Sequence, residues 1–241
     1  MPKKRKHCLS NAVRPLFISA RSRPVVQVLS SDNINARCRI VVLISGNGGN
    51  LQAIIDHCSD GEIPAEVVGV ISNVPSAFGL ERARLAGIEA RCLNHREFIS
   101  RAAFDKALTT LVEDFRPDLV ALAGFMRILS PAFVDQFAGR LMNIHPSLLP
   151  DYPGLDTHRR AIADGTSEHG ATVHFVTQDL DAGPVIIQGR VKICEDDSEH
   201  SLAMRVHEVE HRIYPEAVRW FASGRLRLED DVATLDGQPL T

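Results

Sequence analysis

Asn143 and His145 stand two residues apart after the apolar pair Leu141-Met142, and a carboxylate, Asp181, follows in the glycine-bearing turn Asp179-Leu180-Asp181-Ala182-Gly183. An amide can donate to a developing oxyanion, and an imidazole can carry protons near neutral pH. A carboxylate beside that imidazole favours its charged form. Taken singly, a His or an Asp is more often structural, but the three together describe a site that stabilises an oxyanion and moves a proton. A second feature is Ser45-Gly46-Asn47-Gly48-Gly49-Asn50. Bare backbone N–H groups in such a turn converge with the positive end of the following helix, which suits an anion. It is not a dinucleotide fingerprint, because Leu51 stands where the third glycine is needed, and no P-loop lysine follows. A single phosphate remains as the ligand, with a plain strand-to-helix turn as the alternative. The third feature, His207-Glu208-Val209-Glu210-His211, matches the H-E-x-x-H of zinc peptidases, whose histidines share a metal across one helical turn. No H-x-x-G-x-x-H continuation follows, Pro215 comes four residues later, and the acids Glu229, Asp230 and Asp231 lie past Gly224. A polar helix edge facing solvent or substrate is expected there, and no metal.

The elements that must hold these groups are legible in the spacing. Ile40-Val41-Val42-Leu43-Ile44 is a β-branched run for a strand buried on both faces, and the glycine turn follows it directly. Leu51, Ile54 and Ile55 recur at helical spacing. Residues 67–71 predict a second strand, and residues 78–86 a helix ended by Gly87. Ser100 is placed to cap a longer helix with the stripe Phe104, Leu108, Leu111, Val112 and Phe115. Pro117 stops it, and residues 119–123 form the next buried strand. Asn143 and His145 then sit at the C-terminal end of a strand, where open α/β sheets place their sites. The segment 143–157, with Pro146, Pro150 and Pro153, reads as a long functional loop. Residues 171–176 and 184–194 predict an antiparallel pair around Asp181. A last helix begins near Ser201, with Leu202, Val206, Val209, Ile213 and Trp220 on one face. The fold class expected is α/β: a Rossmann-like, doubly wound, mostly parallel sheet with an antiparallel pair near the C-terminal half.

Among the 241 residues, 44% are hydrophobic, and no apolar run approaches the roughly 18 residues of a membrane span. Five scattered cysteines (Cys8, Cys38, Cys58, Cys92, Cys194) form no C-x-x-C pair, which points to a reducing, cytoplasmic setting rather than a disulfide framework. The net charge of −3 is uneven: residues 1–38 carry +7, so the remainder carries −10. The expected organisation is a basic, disordered extension over 1–38 and a single domain over 39–241. Pro2-Lys3-Lys4-Arg5-Lys6 also reads as an import or polyanion-binding patch, and the Arg/Ser-rich stretch behind it as an organellar transit peptide. The acidic body excludes a nucleic-acid surface.

From about Arg39 onward the sequence resembles the glycinamide ribonucleotide formyltransferases, a family of folate-dependent formyltransferases. The likeness is carried in order by Ile44-Ser45-Gly46-Asn47-Gly48-Gly49-Asn50-Leu51, Gly124-Phe125-Met126-Arg127-Ile128-Leu129, Asn143-Ile144-His145-Pro146-Ser147-Leu148-Leu149-Pro150 and Asp179-Leu180-Asp181-Ala182-Gly183-Pro184-Val185-Ile186. Glu210-His211-x-Ile213-Tyr214-Pro215 points to the ribonucleotide enzymes specifically. The resemblance implies that Asn143, His145 and Asp181 are catalytic: Asn143 and protonated His145 stabilise the tetrahedral oxyanion, and Asp181 holds His145 charged and helps relay the amine's proton. It also implies that Gly48, Gly49 and Asn50 hold the ribonucleotide phosphate, with His207, Glu208, Val209 and Glu210 closing that side. Arg101, Met126, Arg127, Ile128, Leu129, Asn143, Thr177, Gln178, Asp179, Leu180 and Asp181 would line the pocket for 10-formyltetrahydrofolate, a co-substrate. A cation in the first turn of a helix opposes the macrodipole, so Arg101 suggests an anionic ligand, with a solvated arginine as its alternative. Gly49 stands where many relatives carry serine, His207 where glutamine is common, and Asp151 where lysine is common.

The expected partners are therefore two small molecules, with no nucleic acid or membrane, acting on a monomer or homodimer. Competing readings are a formyltetrahydrofolate hydrolase, a methionyl-tRNA formyltransferase, a zinc peptidase through His207 and His211, and a catalytically silent nucleotide-binding module. The hydrolase is expected to carry a regulatory domain before the body, for which 38 residues are too few. The tRNA enzyme is expected to carry a nucleic-acid-binding domain after it.

Overall fold

Alternation along the first strand sets the architecture. β1 (Cys38–Ile44) sends Ile40, Val42 and Ile44 into one apolar cluster and Val41 and Leu43 into another, all without solvent exposure. The sheet is therefore covered on both faces, as a continuous β-branched run requires. The structure is a computed structural model that describes residues 37–240; the basic head expected over 1–38 lies outside the described residues except for its last two.

Six more strands complete the main sheet: β2 (Ala65–Ser72), β3 (Ala90–Cys92), β4 (Leu119–Leu122), β5 (Leu141–His145), β6 (Glu168–Phe175) and β7 (Val185–Lys192). Their order is β3-β2-β1-β4-β5-β6-β7. The pairs from β3 to β5 are parallel, whereas β6 runs antiparallel to β5 and β7 antiparallel to β6. This is the mostly parallel sheet with a C-terminal antiparallel pair that the spacing predicts. The helices are α1 (Gly49–Ser59), α2 (Phe78–Leu85), α3 (Arg101–Glu113), α4 (Pro131–Gln136), α5 (Thr157–Ala163) and α6 (Glu199–Ala222). Leu51, Leu80 and Val206, from α1, α2 and α6, join the cluster on one face, and Phe104 and Phe133, from α3 and α4, join the cluster on the other. Ser100 caps α3 by accepting from the Ala103 N–H at 3.1 Å.

The last helix carries Pro215 inside it, as the apolar stripe from Leu202 to Trp220 predicts, and α6 runs on to Ala222. An interior proline forfeits a backbone bond at a cost of about 3 kcal/mol. The buried stripe Leu202, Val206, Val209, Ile213, Tyr214, Ala217 and Val218 offsets that cost. Tyr214 adds an anchor, its hydroxyl donating toward the Leu122 and Met142 carbonyls at 3.0 and 3.2 Å. After Gly224 the chain forms a small antiparallel sheet, β8 (Leu226–Glu229), β9 (Val232–Leu235) and β10 (Gln238–Pro239). Asp230 and Asp231 take positive φ (49° and 60°) at its first turn. Strands of two to four residues are too short to show a period, so this sheet was not legible, nor were β3, α4 and α5.

Candidate functional site

Strand order reverses between β1 and β4, so their outgoing loops diverge and leave a crevice at the carboxyl ends of the strands. The glycine turn leaves β1 on one side of it. Gly48 takes φ +76°, and an added Cβ would lie 2.8 Å from the Gly79 Cα of α2, so both the backbone conformation and the space require glycine. The loop after β4 closes against the turn: Ser45 N–H donates to the Gly124 carbonyl at 3.1 Å, and Met126 N–H to the Ser45 hydroxyl at 2.7 Å.

Across the crevice, period-two alternation exposes a polar stripe. In β5, Met142 and Ile144 face the cluster carrying α6, so Asn143 and His145 share the opposite face. In β6, Ala171, Val173 and Phe175 face that same cluster, which turns Thr172 and His174 toward the stripe. Register then sets Asn143 directly opposite His174 and His145 opposite Thr172. The Asn143 amide Nδ2 lies 3.2 Å from His174 Nε2, and His174 Nδ1 lies 2.9 Å from the Phe175 carbonyl. A carbonyl only accepts, so the proton of His174 sits on Nδ1. Burial pushes the pKa of His174 down, against smaller opposing effects of the Phe175 carbonyl and Asp181, and keeps the ring neutral. Nε2 is then an acceptor, so the Asn143 amide donates one hydrogen to His174 and keeps a second donor on a residue that lines the cavity.

Asp181 arrives from the turn between β6 and β7 with φ 52°. That turn is pinned at Gly183, where a Cβ would meet the Phe175 carbonyl at 1.8 Å. Asp181 Oδ2 accepts from the Gly154 N–H at 2.8 Å and lies 3.4 Å from His145 Nδ1. His145 Nε2 faces the Tyr152 carbonyl at 2.9 Å. Both ring nitrogens thus face acceptors, a pattern that the doubly protonated imidazolium satisfies. The proline-bearing loop that supplies Tyr152 and Gly154 is fastened to the sheet. Leu149 N–H donates to the Thr172 hydroxyl at 3.0 Å, and Thr172 donates to the Ser147 carbonyl at 2.7 Å.

A cavity of about 510 Å³ opens over this cluster; Met126, Arg127, Ile128, Asn143, His145, Leu180 and Asp181 are all in its wall. Thr177, Gln178, Asp179 and Leu129 line an adjoining space of about 100 Å³ that also includes His174. Arg101 is exposed at the start of α3 and lies in neither wall. Gly48, Gly49 and Asn50 form a separate wall with α6: Asn50 Nδ2 donates to Glu210 Oε2 at 2.7 Å, and burial pushes the Glu210 carboxyl up in pKa. His207 and Glu208 are exposed, whereas the Val209 side chain is packed in the core against Gly189. The rings of His207 and His211 lie parallel with centroids 6.5 Å apart. No group of three or more metal-ligating side chains occurs among the described residues. Sequence spacing missed His174, His158 and Glu199, which also line these spaces, and the Tyr152 carbonyl; only strand register and loop closure bring them in.

Four histidines in this half of the molecule carry lowered pKa values. Burial is the largest cause for each: His158, pushed down to about 4 with help from His169, and His169, His174 and His211. The unfolded chain, with histidines near 6.5, binds protons that the folded chain refuses. Their contribution to stability is therefore present above about pH 6.5 and is lost as pH falls toward 4. The melting temperature is expected to drop by several degrees between pH 7.5 and 5, with a smaller drop in His158→Gln. A flat profile over that range would contradict the burial argument.

The model of the formyl transferase family matches residues 38–218. Phosphoribosylglycinamide formyltransferase of Escherichia coli (strain K12) is 57% identical over 201 residues, which cover 83% of this chain and 95% of that protein. The trifunctional purine biosynthetic protein adenosine-3 of Homo sapiens is 44% identical over 195 residues, 81% of this chain and 19% of that longer protein. The structure of the phosphoribosylglycinamide formyltransferase of Coxiella burnetii, in complex with CHES, is 51% identical and superposes with a TM-score of 0.82, covering 86% of this chain and 97% of that one.

Proposed function

The chain belongs to the formyl transferase family, and on that premise we propose that it moves the formyl group of 10-formyltetrahydrofolate to the amine of 5'-phosphoribosylglycinamide in purine biosynthesis. The products are the N-formyl ribonucleotide and tetrahydrofolate. The observation that carries this reading is the cluster of Asn143, His145 and Asp181 in the wall of one cavity, beside a glycine turn suited to a phosphate. The exposed apolar side chains of Met126, Ile128, Leu155 and Leu180 around that cavity fit the flat ring of a folate.

In this mechanism the amine nitrogen attacks the formyl carbon, a new C–N bond forms, and the bond to the folate nitrogen breaks. Negative charge gathers on the formyl oxygen. The second N–H of the Asn143 amide and the imidazolium of His145 stabilise it. Asp181 holds the imidazolium in place, and the proton leaving the amine passes to the departing folate nitrogen. Gly48, Gly49 and Asn50 hold the phosphate, and Glu210 faces the same wall. Arg101, outside the cavity wall, would meet only a charged tail of the folate that extends beyond it.

An assay of formyl-folate consumption with glycinamide ribonucleotide, against controls lacking the amine, tests the reaction. Consumption without amine would favour a hydrolase, and formylation of methionyl-tRNA the tRNA enzyme. A cytoplasmic monomer or homodimer acting on small molecules fits the free thiols of Cys38, Cys58, Cys92 and Cys194 and the absence, among the described residues, of a helix able to cross a membrane. The domain boundary has its own test. A chain beginning at Arg39 is expected to fold and turn over like the full chain, because β1 supplies the first buried run. A fall of several degrees in melting temperature on truncation would mean that residues 1–38 contribute to the packed body.

A further inference from the structure

The cavity wall accounts for the folate side of the reaction, but the glycine turn has a support of its own. Three consecutive residues of the turn are each held by α2. Gly79 N–H donates to the Gly46 carbonyl at 3.1 Å, Arg82 Nε donates to the Asn47 carbonyl at 2.8 Å, and the Gly48 backbone lies against Gly79. In a trans peptide the carbonyl and the next N–H point in opposite directions. With the Gly46 and Asn47 carbonyls turned toward α2, the N–H groups of Asn47 and Gly48 are aimed away from it, where an anion would sit. Neither N–H, nor that of Gly49 or Asn50, has a hydrogen-bond acceptor among the described residues.

Arg82 is the polar member of this support, and its guanidinium is held at three points. Besides Nε, its Nη1 donates to Gln52 Oε1 at 3.3 Å, and the group stacks over the Phe78 ring at 5.0 Å. Nη2 makes no hydrogen bond among the described residues. No lysine lies within the turn. His211, whose Nε2 would lie 3.0 Å from a Cβ on Gly49, has its pKa lowered by burial and by the charges of His207 and Arg82, so it is neutral near pH 7. Arg82 is therefore the standing cation that touches the turn.

We propose that Arg82 is a positioning residue of the phosphate turn, locking the Asn47 carbonyl so that the Asn47 and Gly48 N–H groups face the phosphate of the ribonucleotide substrate. The proposal rests on the formyl-transfer reading for the identity of that substrate, though not for the presence of a phosphate. It assigns to α2 a role in substrate affinity rather than in the chemical step, since Arg82 lies in neither cavity wall beside His145.

The test compares Arg82→Met, which keeps the apolar stem, and Arg82→Lys, which keeps the charge without the forked donors. For Arg82→Met, KM for the ribonucleotide is expected to rise about tenfold or more, the loss of roughly one well-placed charge-assisted hydrogen bond. Meanwhile kcat and KM for formyl-folate stay within about threefold. Arg82→Lys is expected to fall between Met and wild type, because it retains the cation but not the bracing. Ribose 5-phosphate binding, measured by calorimetry on the full chain, should weaken in the same order. That measurement separates the proposal from the reading it rests on: a wild-type chain that binds ribose 5-phosphate through Arg82 but does not formylate glycinamide ribonucleotide keeps the first and loses the second. Unchanged ribose 5-phosphate affinity in both variants overturns the proposal, as does a loss confined to kcat. If Arg82→Met does not fold, the lysine variant decides alone, and wild-type affinity there overturns it.

Discussion

Replacing His145 with alanine is expected to lower turnover by about 10²–10⁴-fold, the range for a positioned acid–base group, with little change in KM for either substrate. The reason lies in the shape of its site. His145 is 5% exposed and set by the β5 pleat, with Nε2 against the Tyr152 carbonyl and Nδ1 toward Asp181. In the proposed mechanism a group so placed acts on charge that is absent from the ground state, so its removal would be felt in kcat. Asp181→Asn is expected to produce a loss in the same range, because the imidazolium keeps its position but loses its anionic neighbour. The two effects should be less than additive when combined, since both act through one imidazolium. Single-turnover measurements check this directly. Near-normal turnover in either variant would remove that residue from the mechanism.

The second large effect is expected at Asn143. Asn143→Ala should cost about 10²–10³-fold in kcat, as for the loss of one oxyanion donor. The structure adds a distinguishing feature. The orientation of the amide depends on the neutral Nε2 of His174, directly across the strand pair. His174→Phe should therefore lose part of the same factor, and adding it to Asn143→Ala should cost little more. A double variant whose losses multiply in full would show that His174 does not act through Asn143. The orientation also depends on His174 staying neutral. As pH falls through its lowered pKa, Nε2 gains a proton, the amide loses its acceptor, and kcat should fall on the acid side.

β1 was legible because five consecutive apolar residues allow no exposed face, and the helix stop at Gly87 and the N-cap at Ser100 were legible because each is a local rule, a positive φ and a side-chain acceptor. The short elements β3, α4, α5 and the sheet from β8 to β10 were not, because runs of two to seven residues carry no readable period. Pro215 is tolerated inside α6 for a different reason. Its local penalty is real, but the buried stripe of α6 lies on both sides of it and outweighs the penalty.

By itself the sequence determined the residue types of the site and the strand ends that carry them. These follow from side-chain chemistry and from periods of 2 and 3.6, which are properties of neighbours along the chain. Only the tertiary structure decided the pairings. Asn143 and His174 are 31 residues apart and meet through the β5–β6 register, while Asp181 reaches His145 because Gly183 lets its turn close on Phe175. It also decided that Arg82 of α2 meets the Asn47 carbonyl and that Val209 faces the core while Glu210 reaches Asn50. Each of these depends on which backbones approach within a few ångströms, and that distance is fixed by the packing of whole elements, to which no local pattern in the chain has access.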